Sequence, residues 1–197
     1  SRLIQKCNYD SWLYLSSTHI YKKSENTSEN SRIIFEHNSE SLYTSSKLLG
    51  EALCLSINNP FVRVARLSNV LGLGQSKHTF FGSLIADMNS GKDIYIRDHP
   101  SSLKDYIILE DVLWLLKRIV TYGKERIYNV ASGVSFSHQE IANAIESSAG
   151  LTVKFNDTGK INSFQKIDIS RINDEFGFSA RISQNDFCNI IKVERGF

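Results

Sequence analysis

The stretch WLYLSS at residues 12–17 is a short apolar run that ends in two serines. A run that is nearly continuous in apolar side chains is typical of a parallel strand that is buried on both faces. Further along the chain, the stretch LYTSSKLLGE at residues 42–51 carries apolar residues at helical spacing and predicts a helix. A strand followed by a helix is the repeating unit of an α/β fold.

The same alternation continues along the chain. Residues 62–67 predict a strand, and residues 79–90 and 111–122 predict helices. Ser137 and Glu140 form the pattern of a capping box at the start of a further helix. We therefore expect an α/β fold built on a parallel sheet.

Tyr43 and Lys47 lie one helical turn apart, so both side chains project from one face of the predicted helix. An ammonium group near a phenol favours the ionised phenol, which lets a tyrosine exchange protons closer to neutral pH. A serine hydroxyl from the strand end, such as Ser17, can hold the reacting oxygen beside them. The three side chains predict a site that interconverts an alcohol and a ketone next to a hydride acceptor. The Tyr–Lys spacing also occurs on ordinary exposed helices, so this pair is not decisive by itself.

Six segments, in chain order, resemble the extended short-chain dehydrogenase/reductases, the NAD-dependent nucleotide-sugar epimerase/dehydratase family. They are LSSTHIY at 15–21, LYTSSKLLGE at 42–51, RLSNVLG at 66–72, KDYIILEDV at 104–112, IYNVASG at 127–133, and DISR at 168–171 with Gly177-Phe178. The resemblance implies an α/β fold with a partial Rossmann-like parallel sheet and a small α+β substrate-binding lobe.

The resemblance also implies a division of the chain. Residues 1–70 and 105–133 would be the remainder of a Rossmann-type NAD(P)-binding domain with the catalytic helix, and residues 71–104 and 134–197 would be the substrate-binding lobe. The Gly-rich turn that opens such a domain is missing, because the nearest match, GLG at residues 72–74, follows the catalytic helix. We expect the chain to be the C-terminal two-thirds of a longer protein.

Roles for individual residues follow from the resemblance. Catalysis is implied for Ser17, Tyr43 and Lys47: Tyr43 would be the acid or base, Ser17 would orient the reacting oxygen, and Lys47 would assist Tyr43. Tyr43 and Lys47 would also contact the cofactor, NAD or NADP, together with Ser16 and Ser68. For Ser17 the alternative is a serine that caps the local backbone, and for Ser68 it is a turn bonded to its own backbone.

Substrate contacts are implied for Thr18, Asn69 and Lys104. Asn69 resembles a residue near the substrate diphosphate, with a self-bonded turn as the alternative. Lys104 stands where the family usually has an arginine that grips a phosphate through two donors. A lysine offers only a point charge, so phosphate contact is expected with weaker geometry.

The pair Thr18-His19 bears on the type of reaction. Dehydratases of the family carry Asp-Glu at these positions, which disfavours a 4,6-dehydratase here. A C4 epimerase or a 4-ketoreductase acting on a nucleotide-activated sugar remains, and we expect His19 to be packed rather than substrate-facing. The alternative function is a non-catalytic remnant of the fold that acts as a binding or interaction module. A Gly-rich turn encoded upstream of Ser1 would favour the enzyme, and a nearby start codon the remnant.

Composition and charge restrict the partners. The net charge is +2 and the basic residues are scattered, so nucleic-acid binding is not expected. No apolar run approaches the ~20 residues of a membrane span. Three widely spaced cysteines are typical of a cytoplasmic protein with reduced thiols, and the five histidines show no metal-ligand spacing. A nucleotide-sugar substrate is the expected partner, with a homodimer as one option for the complete protein.

Overall fold

A computed structural model of the chain describes residues 4, 6–35, 41–156 and 160–196. Within these ranges, strands and helices alternate. In chain order they are β1 (Trp12–Ser17), α1 (Ser41–Leu55), β2 (Val62–Leu67), β3 (Asn69–Leu71), α2 (Phe80–Asn89), β4 (Ile94–Ile96), β5 (Leu103–Ile108), α3 (Leu109–Tyr122), β6 (Ile127–Val130), β7 (Ser135–Ser137), α4 (His138–Ala149), β8 (Val153–Phe155), α5 (Ser170–Phe176) and α6 (Gln184–Glu194). A short 3-10 helix, Thr18–Tyr21, follows β1 directly.

The strands form a parallel sheet and two smaller groups. β1, β2 and β6 pair in parallel in the order β1–β2–β6, and their register aligns Ser17 with Leu67 and Leu67 with Val130. The carboxyl ends of the three strands therefore lie together. β3 pairs in parallel with β5, β7 runs antiparallel to β5, and β4 pairs in parallel with β8. The predicted α/β fold with a parallel sheet is confirmed.

Local sequence signals place most element boundaries correctly. The predicted strand at residues 62–67 is β2. The predicted helix at residues 79–90 is α2, and the Thr79 hydroxyl caps it by accepting a hydrogen bond from the Gly82 N–H (3.1 Å). The capping box of Ser137 and Glu140 is present at the start of α4.

The environment of β1 differs from the expected burial on both faces. Within the described residues, β1 pairs with β2 alone, and α1 packs against it. Leu15 is 44% exposed on the strand, and Leu49 is 64% exposed on α1. The prediction of double burial is wrong because nothing in the described part of the chain covers that side of β1. The apolar composition of residues 12–17 does not show which strands and helices pack against β1.

Two hydrophobic cores meet at β5. Tyr106 is buried in a core that includes α2, α4 and α6, whereas Ile107 is buried in a core that includes β2, α3 and β6. Successive side chains of a strand point to opposite faces, so β5 contributes to both. Lys104 and Asp105, also on β5, consequently lie at the boundary between the two cores. The proposed division into two domains remains a prediction.

Arg66, near the end of β2, is a buried cation that joins four parts of the fold. Its Nε and Nη2 donate hydrogen bonds to the Glu51 carboxylate on α1 (3.1 and 2.7 Å), and its Nη1 donates to the Tyr21 hydroxyl (2.6 Å). Tyr21 in turn donates to Asn129 Oδ1 on β6 (2.8 Å). Burial raises the pKa of Tyr21 to about 12, so its hydroxyl stays protonated and keeps donating. The network ties α1 to the sheet and to the turn after β1.

Replacement of Glu51 by glutamine tests this network. Glu51→Gln removes the charge that compensates the buried Arg66, and we expect the free energy of unfolding to fall by about 3 kcal/mol. The control is Asp93→Asn, which breaks an exposed ion pair with Lys154 (2.8 Å) and should leave the unfolding midpoint nearly unchanged. Urea unfolding followed by circular dichroism gives both values. Equal effects of the two substitutions would contradict a central role for the buried pair.

Candidate active site

A cavity of about 470 Å³ lies beyond the carboxyl ends of β1 and β2, against β5. Ligand sites of parallel α/β sheets occur at this end of the strands. Most of the predicted site residues lie on its wall: Ser17, Thr18, Tyr43, Ser68, Asn69 and Lys104. The fold thus brings together residues that are far apart in the sequence.

Tyr43 projects from the first turn of α1 and is 50% exposed. The Lys47 ammonium lies 5.6 Å from the centre of the Tyr43 ring and 5.8 Å from that of Tyr14. Lys47 also donates a hydrogen bond to the Leu15 carbonyl on β1 (3.1 Å), which fixes its position although it is not part of the cavity wall. The two side chains share one helix face, as their spacing requires.

Ser17 ends β1 with extended backbone and begins the 3-10 helix. Its hydroxyl accepts a hydrogen bond from the His19 N–H (3.2 Å). The local capping considered as the alternative is therefore present, and Ser17 nevertheless lines the cavity. A hydroxyl that accepts one bond keeps its own hydrogen for donation, so capping leaves Ser17 able to donate to a ligand oxygen.

The neighbours of Ser17 are more buried. Thr18 is 7% exposed, and its hydroxyl donates to the Leu67 carbonyl (3.4 Å). Ser16 is buried and off the cavity wall, and its hydroxyl has no hydrogen-bond partner among the described residues. An unpaired buried hydroxyl is costly, which marks Ser16 as a position where a further donor or acceptor fits.

Ser68 and Asn69, which follow β2, bond to residues of two other strands. The Asn69 side-chain amide donates to the backbone carbonyl of Asp105 on β5 (2.7 Å), so it does not bond its own turn. The Ser68 N–H donates to the Val130 carbonyl (3.0 Å) and its side chain is buried beside Asp105. Both residues line the cavity.

Lys104 is half-buried and lines the same cavity. Its ammonium lies 4.2 Å from the centre of the Phe80 ring. Burial is the main cause that lowers the pKa of Lys104, with Lys22 acting in the same direction and Asp98 against it. A partly desolvated ammonium in a cavity wall is a suitable partner for an anionic group of a ligand.

Asp105 is a cavity residue to which sequence reasoning assigned no role. Its carboxylate is buried and accepts hydrogen bonds from the N–H (3.2 Å) and hydroxyl (3.3 Å) of Ser132. Burial raises the pKa of Asp105 to about 6, although hydrogen bonds from Ser68, Ser132 and Gly133 oppose the increase. The only sequence signal was its position in the KDYIILEDV segment.

His138, the first residue of α4, was also missed. It is completely buried, stacks on the Phe80 ring (4.3 Å between centres), and neither ring nitrogen has a hydrogen-bond partner in the described chain. Burial, followed by the charge of Lys104, lowers the pKa of His138 to about 4, so the imidazole is neutral. Phe80 thus contacts both His138 and the Lys104 ammonium, and no local pattern links these three residues.

His19 was expected to be packed against other side chains rather than to face a substrate, and in the structure it is both packed and part of the cavity lining. Its ring lies edge-on to Tyr43 (5.8 Å between centres) and against Phe164 (5.3 Å), and it also lines the cavity. Its Nδ1 lies 3.2 Å from the Thr44 hydroxyl. The expectation of packing alone was too narrow, because the loop that carries Phe164 joins the cavity from the far end of the chain.

Among the described residues, no group of histidine, cysteine, aspartate or glutamate side chains is arranged to hold a metal ion. In the same part of the chain, no helix has the length and apolar character needed to cross a membrane. Cys7, Cys54 and Cys188 are all free thiols.

Sequence comparison identifies the family. A profile described as the NAD dependent epimerase/dehydratase family matches residues 2–131. The chain belongs to the NAD dependent epimerase/dehydratase family. The matched part of this epimerase/dehydratase chain includes β1, α1, β2 and β5, and hence most of the cavity wall. No curated protein sequence matches the chain.

Solved structures share the fold. They include dTDP-glucose 4,6-dehydratase from Bacillus anthracis with NAD (18% identity, TM-score 0.79), which this chain matches over 94% of its own length and 62% of that chain. UDP-glucuronic acid 4-epimerase from Bacillus cereus with UDP-glucuronic acid and NAD gives 22% identity, a TM-score of 0.78, and coverage of 96% and 63%. RMD from Pseudomonas aeruginosa with NADPH gives 24% identity and a TM-score of 0.70, with coverage of 93% of this chain and 66% of that chain. The chain therefore spans less than two thirds of the length of these members of the fold.

Ionisation of Asp105 should make stability depend on pH. Its pKa in the folded protein lies above the ordinary value of 3.8, so protonated Asp105 stabilises the fold below about pH 4 and this contribution is lost as the pH rises through about 6. Asp105→Asn removes the ionisation, so the variant should gain on the order of 2–3 kcal/mol relative to the wild type between pH 4 and pH 7. Urea unfolding across this range measures the difference. A difference that stays constant with pH would contradict the assignment.

Proposed function

We propose that the complete protein is an NAD(P)-dependent oxidoreductase or epimerase that acts on a nucleotide-activated sugar, as a C4 epimerase or a 4-ketoreductase. The observation that carries the proposal is that Ser17 and Tyr43 line one cavity, with the Lys47 ammonium 5.6 Å from the centre of the Tyr43 ring. These are the groups that an alcohol–ketone interconversion needs: a proton-transfer residue, a cation beside it and a donor to the reacting oxygen.

Each residue has a distinct role in the proposed reaction. The Tyr43 phenolate takes the proton of the sugar hydroxyl during oxidation and becomes the phenol, and the phenol returns a proton to the carbonyl oxygen during reduction. The Lys47 ammonium stabilises the phenolate formed in this exchange. The Ser17 hydroxyl donates to the sugar oxygen and holds it against Tyr43. NAD or NADP, when bound, accepts or supplies the hydride.

The residues present fit the nicotinamide end of such a cofactor. Tyr43 is half-exposed, and Lys47 beside it can donate to ribose hydroxyls. The buried, unpaired hydroxyl of Ser16 and the Ser68 side chain at the end of β2 complete the proposed cofactor contacts. The NAD in the dehydratase and epimerase complexes and the NADPH in RMD support a dinucleotide as the cofactor of the complete protein.

A substrate diphosphate suits the wall formed by Asn69 and Lys104. The Lys104 ammonium is partly desolvated over Phe80, so a phosphate oxygen would replace part of the solvation that it loses on burial. Asn69 lies on the same cavity, although its amide already bonds the Asp105 carbonyl. Thr18 is assigned to the sugar end, next to Ser17.

The pair Thr18-His19 supports the choice between reaction types. Elimination of water needs an acid for the leaving hydroxyl as well as a base for the carbon-bound proton. The Thr18 hydroxyl is buried and donates to the Leu67 carbonyl, and a threonine is not an acid near neutral pH. We therefore prefer an epimerase or ketoreductase to a 4,6-dehydratase.

The proposal extends to location and assembly. A cytoplasmic location is supported by the free state of the three cysteines. A homodimer of the complete protein through α1 is supported by its exposed apolar side chains, among them Leu42 (80% exposed) and Leu49 (64%). Neither point affects the chemistry assigned to the cavity.

Tyr43→Phe, made in the complete reading frame that encodes this chain, is the direct test of catalysis. Loss of the proton-transfer hydroxyl should lower turnover of a nucleotide sugar by about 10²–10⁴-fold while NAD(P)H binding stays nearly intact. The matched control is Tyr95→Phe, which removes a hydroxyl of equal exposure (50%) on β4. Undiminished turnover in Tyr43→Phe would refute the assignment. Absence of NAD(P)H binding by the wild type would favour the non-catalytic module.

Lys104→Gln tests the diphosphate contact. Removal of the ammonium should weaken binding of uridine or deoxythymidine diphosphate about tenfold, as expected for one charge-assisted hydrogen bond. The control is Lys117→Gln, which changes an exposed lysine on α3. Isothermal titration calorimetry measures both affinities. Equal affinities for the wild type and Lys104→Gln would place the diphosphate elsewhere.

A further inference from the structure

We propose that Thr27 is a positioning residue for the sugar end of the substrate, because it holds residues 160–168 against the cavity. These residues, which we call the strap, have no regular secondary structure. The inference rests on the proposed function, since it takes the ligand of this cavity to be a nucleotide-activated sugar. It goes beyond that function because Thr27 does not line the cavity and acts on the ligand only through the strap.

The middle of the strap forms part of the cavity lining, through Asn162, Phe164 and Ile167. The Phe164 ring packs on the His19 ring with 5.3 Å between the centres, and the His19 ring lies edge-on to that of Tyr43 at 5.8 Å. Phe164 is therefore separated from the proposed proton-transfer residue by a single ring. An aromatic side chain at this place can pack against the sugar and exclude water from the reacting atoms.

The first part of the strap is bound to the start of β5 and to the residue before it. The Asn162 N–H donates a hydrogen bond to the Ser102 hydroxyl (2.9 Å), and the Phe164 N–H donates to the Leu103 carbonyl (3.0 Å). The Leu103 N–H donates in turn to the Ser163 hydroxyl (3.1 Å). This part of the strap is thus fixed to the strand that carries the proposed diphosphate contact.

The last part of the strap is bound to Thr27, in the segment between β1 and α1. The Thr27 hydroxyl donates a hydrogen bond to the Lys166 carbonyl (2.8 Å) and accepts one from the Asp168 N–H (2.8 Å). Thr27 is only 4% exposed, so water cannot readily replace these bonds. The Asn129 side-chain amide donates to the carbonyls of both Thr27 and Asp168 (2.8 Å each), which holds the two segments on β6.

These two attachments make the position of Phe164 depend on Thr27. Without the Thr27 hydroxyl, the strap loses two hydrogen bonds at one end and keeps those at β5. Ile167 remains buried in a core with Ile20 and Tyr21, so the strap loosens without detaching. A ligand that binds only when Phe164 is in place then binds more weakly, in proportion to the fraction of molecules in that state.

Thr27→Val, made in the complete protein, removes the hydroxyl and nearly keeps the shape of the side chain. Isothermal titration calorimetry is carried out with UDP-glucose, UDP-glucuronic acid and dTDP-glucose, and with uridine and deoxythymidine diphosphate alone. Binding of the nucleotide sugars should weaken about tenfold, as expected for the loss of two hydrogen bonds. Affinity for the diphosphates should stay within about twofold of the wild type, because their proposed contacts, Asn69 and Lys104, do not bond Thr27.

Three further variants separate positioning from general stability. Thr27→Ser keeps the hydroxyl and should bind all five ligands as the wild type does. Thr121→Val makes the same change at an exposed threonine of α3 and should alter neither kind of affinity. If Thr27→Val does not fold, Phe164→Ala replaces it. This variant leaves the Thr27 bonds intact and should show the same selective loss of affinity for nucleotide sugars.

The outcomes distinguish this inference from the proposed function. Wild-type affinity of Thr27→Val for the nucleotide sugars would overturn the role of Thr27 alone. An equal loss of affinity for sugars and diphosphates, or the same loss in Thr27→Ser, would also overturn it, and the Tyr43→Phe test of catalysis would stand in each case. Failure of the wild type to bind any of the nucleotide sugars and to turn over any of them would overturn both proposals.

Discussion

The buried guanidinium of Arg66 is the interaction on which the arrangement of the site depends. It is 4% exposed, and a charge removed from water in this way is tolerated only when its donors are satisfied. Glu51, on α1, supplies the counter-charge. The hydroxyl of Tyr21, in the turn after β1, accepts a hydrogen bond from Arg66. These contacts set the position of α1 on the sheet, and α1 carries Tyr43 and Lys47. The geometry of the cavity is therefore a consequence of an ion pair that does not touch it.

β5 also lines the cavity, through Lys104 and Asp105. Since Tyr106 and Ile107, adjacent residues of this strand, enter different hydrophobic cores, the strand joins these two cores beside the site. Lys104 and Asp105 are brought to the boundary by that alternation. Lys104 is a half-buried cation over the Phe80 ring, and Asp105 is a buried carboxyl group. The cavity lining therefore contains two ionisable groups that are partly shielded from water.

Short sequence segments predicted much of the fold because their signals are local. The alternation of strand and helix patterns, the capping box of Ser137 and Glu140, and the i,i+4 spacing of Tyr43 and Lys47 each depend on few neighbouring residues. The burial of β1 could not be predicted from local signals. Leu15 is exposed because no part of the described chain packs on that side of the strand. An apolar run shows that a strand can be buried, but it does not show which element packs against it.

The parts of the site that were missed depend on tertiary contact. Phe80 and His138 are distant in the sequence and stack only because α2 and α4 pack in one core. Phe164 reaches His19 through a segment without regular secondary structure, for which no periodic pattern exists. Asp105 lay within a quoted segment, yet only its burial against Ser132 shows why its protonation matters.

A crystal structure of the complete protein with NAD and uridine diphosphate would test the central claim most directly. We expect a nicotinamide riboside beside Tyr43 and Lys47, and a diphosphate near Lys104 in the same cavity. Density for either ligand away from this cavity, with Tyr43 in contact with neither, would contradict the account.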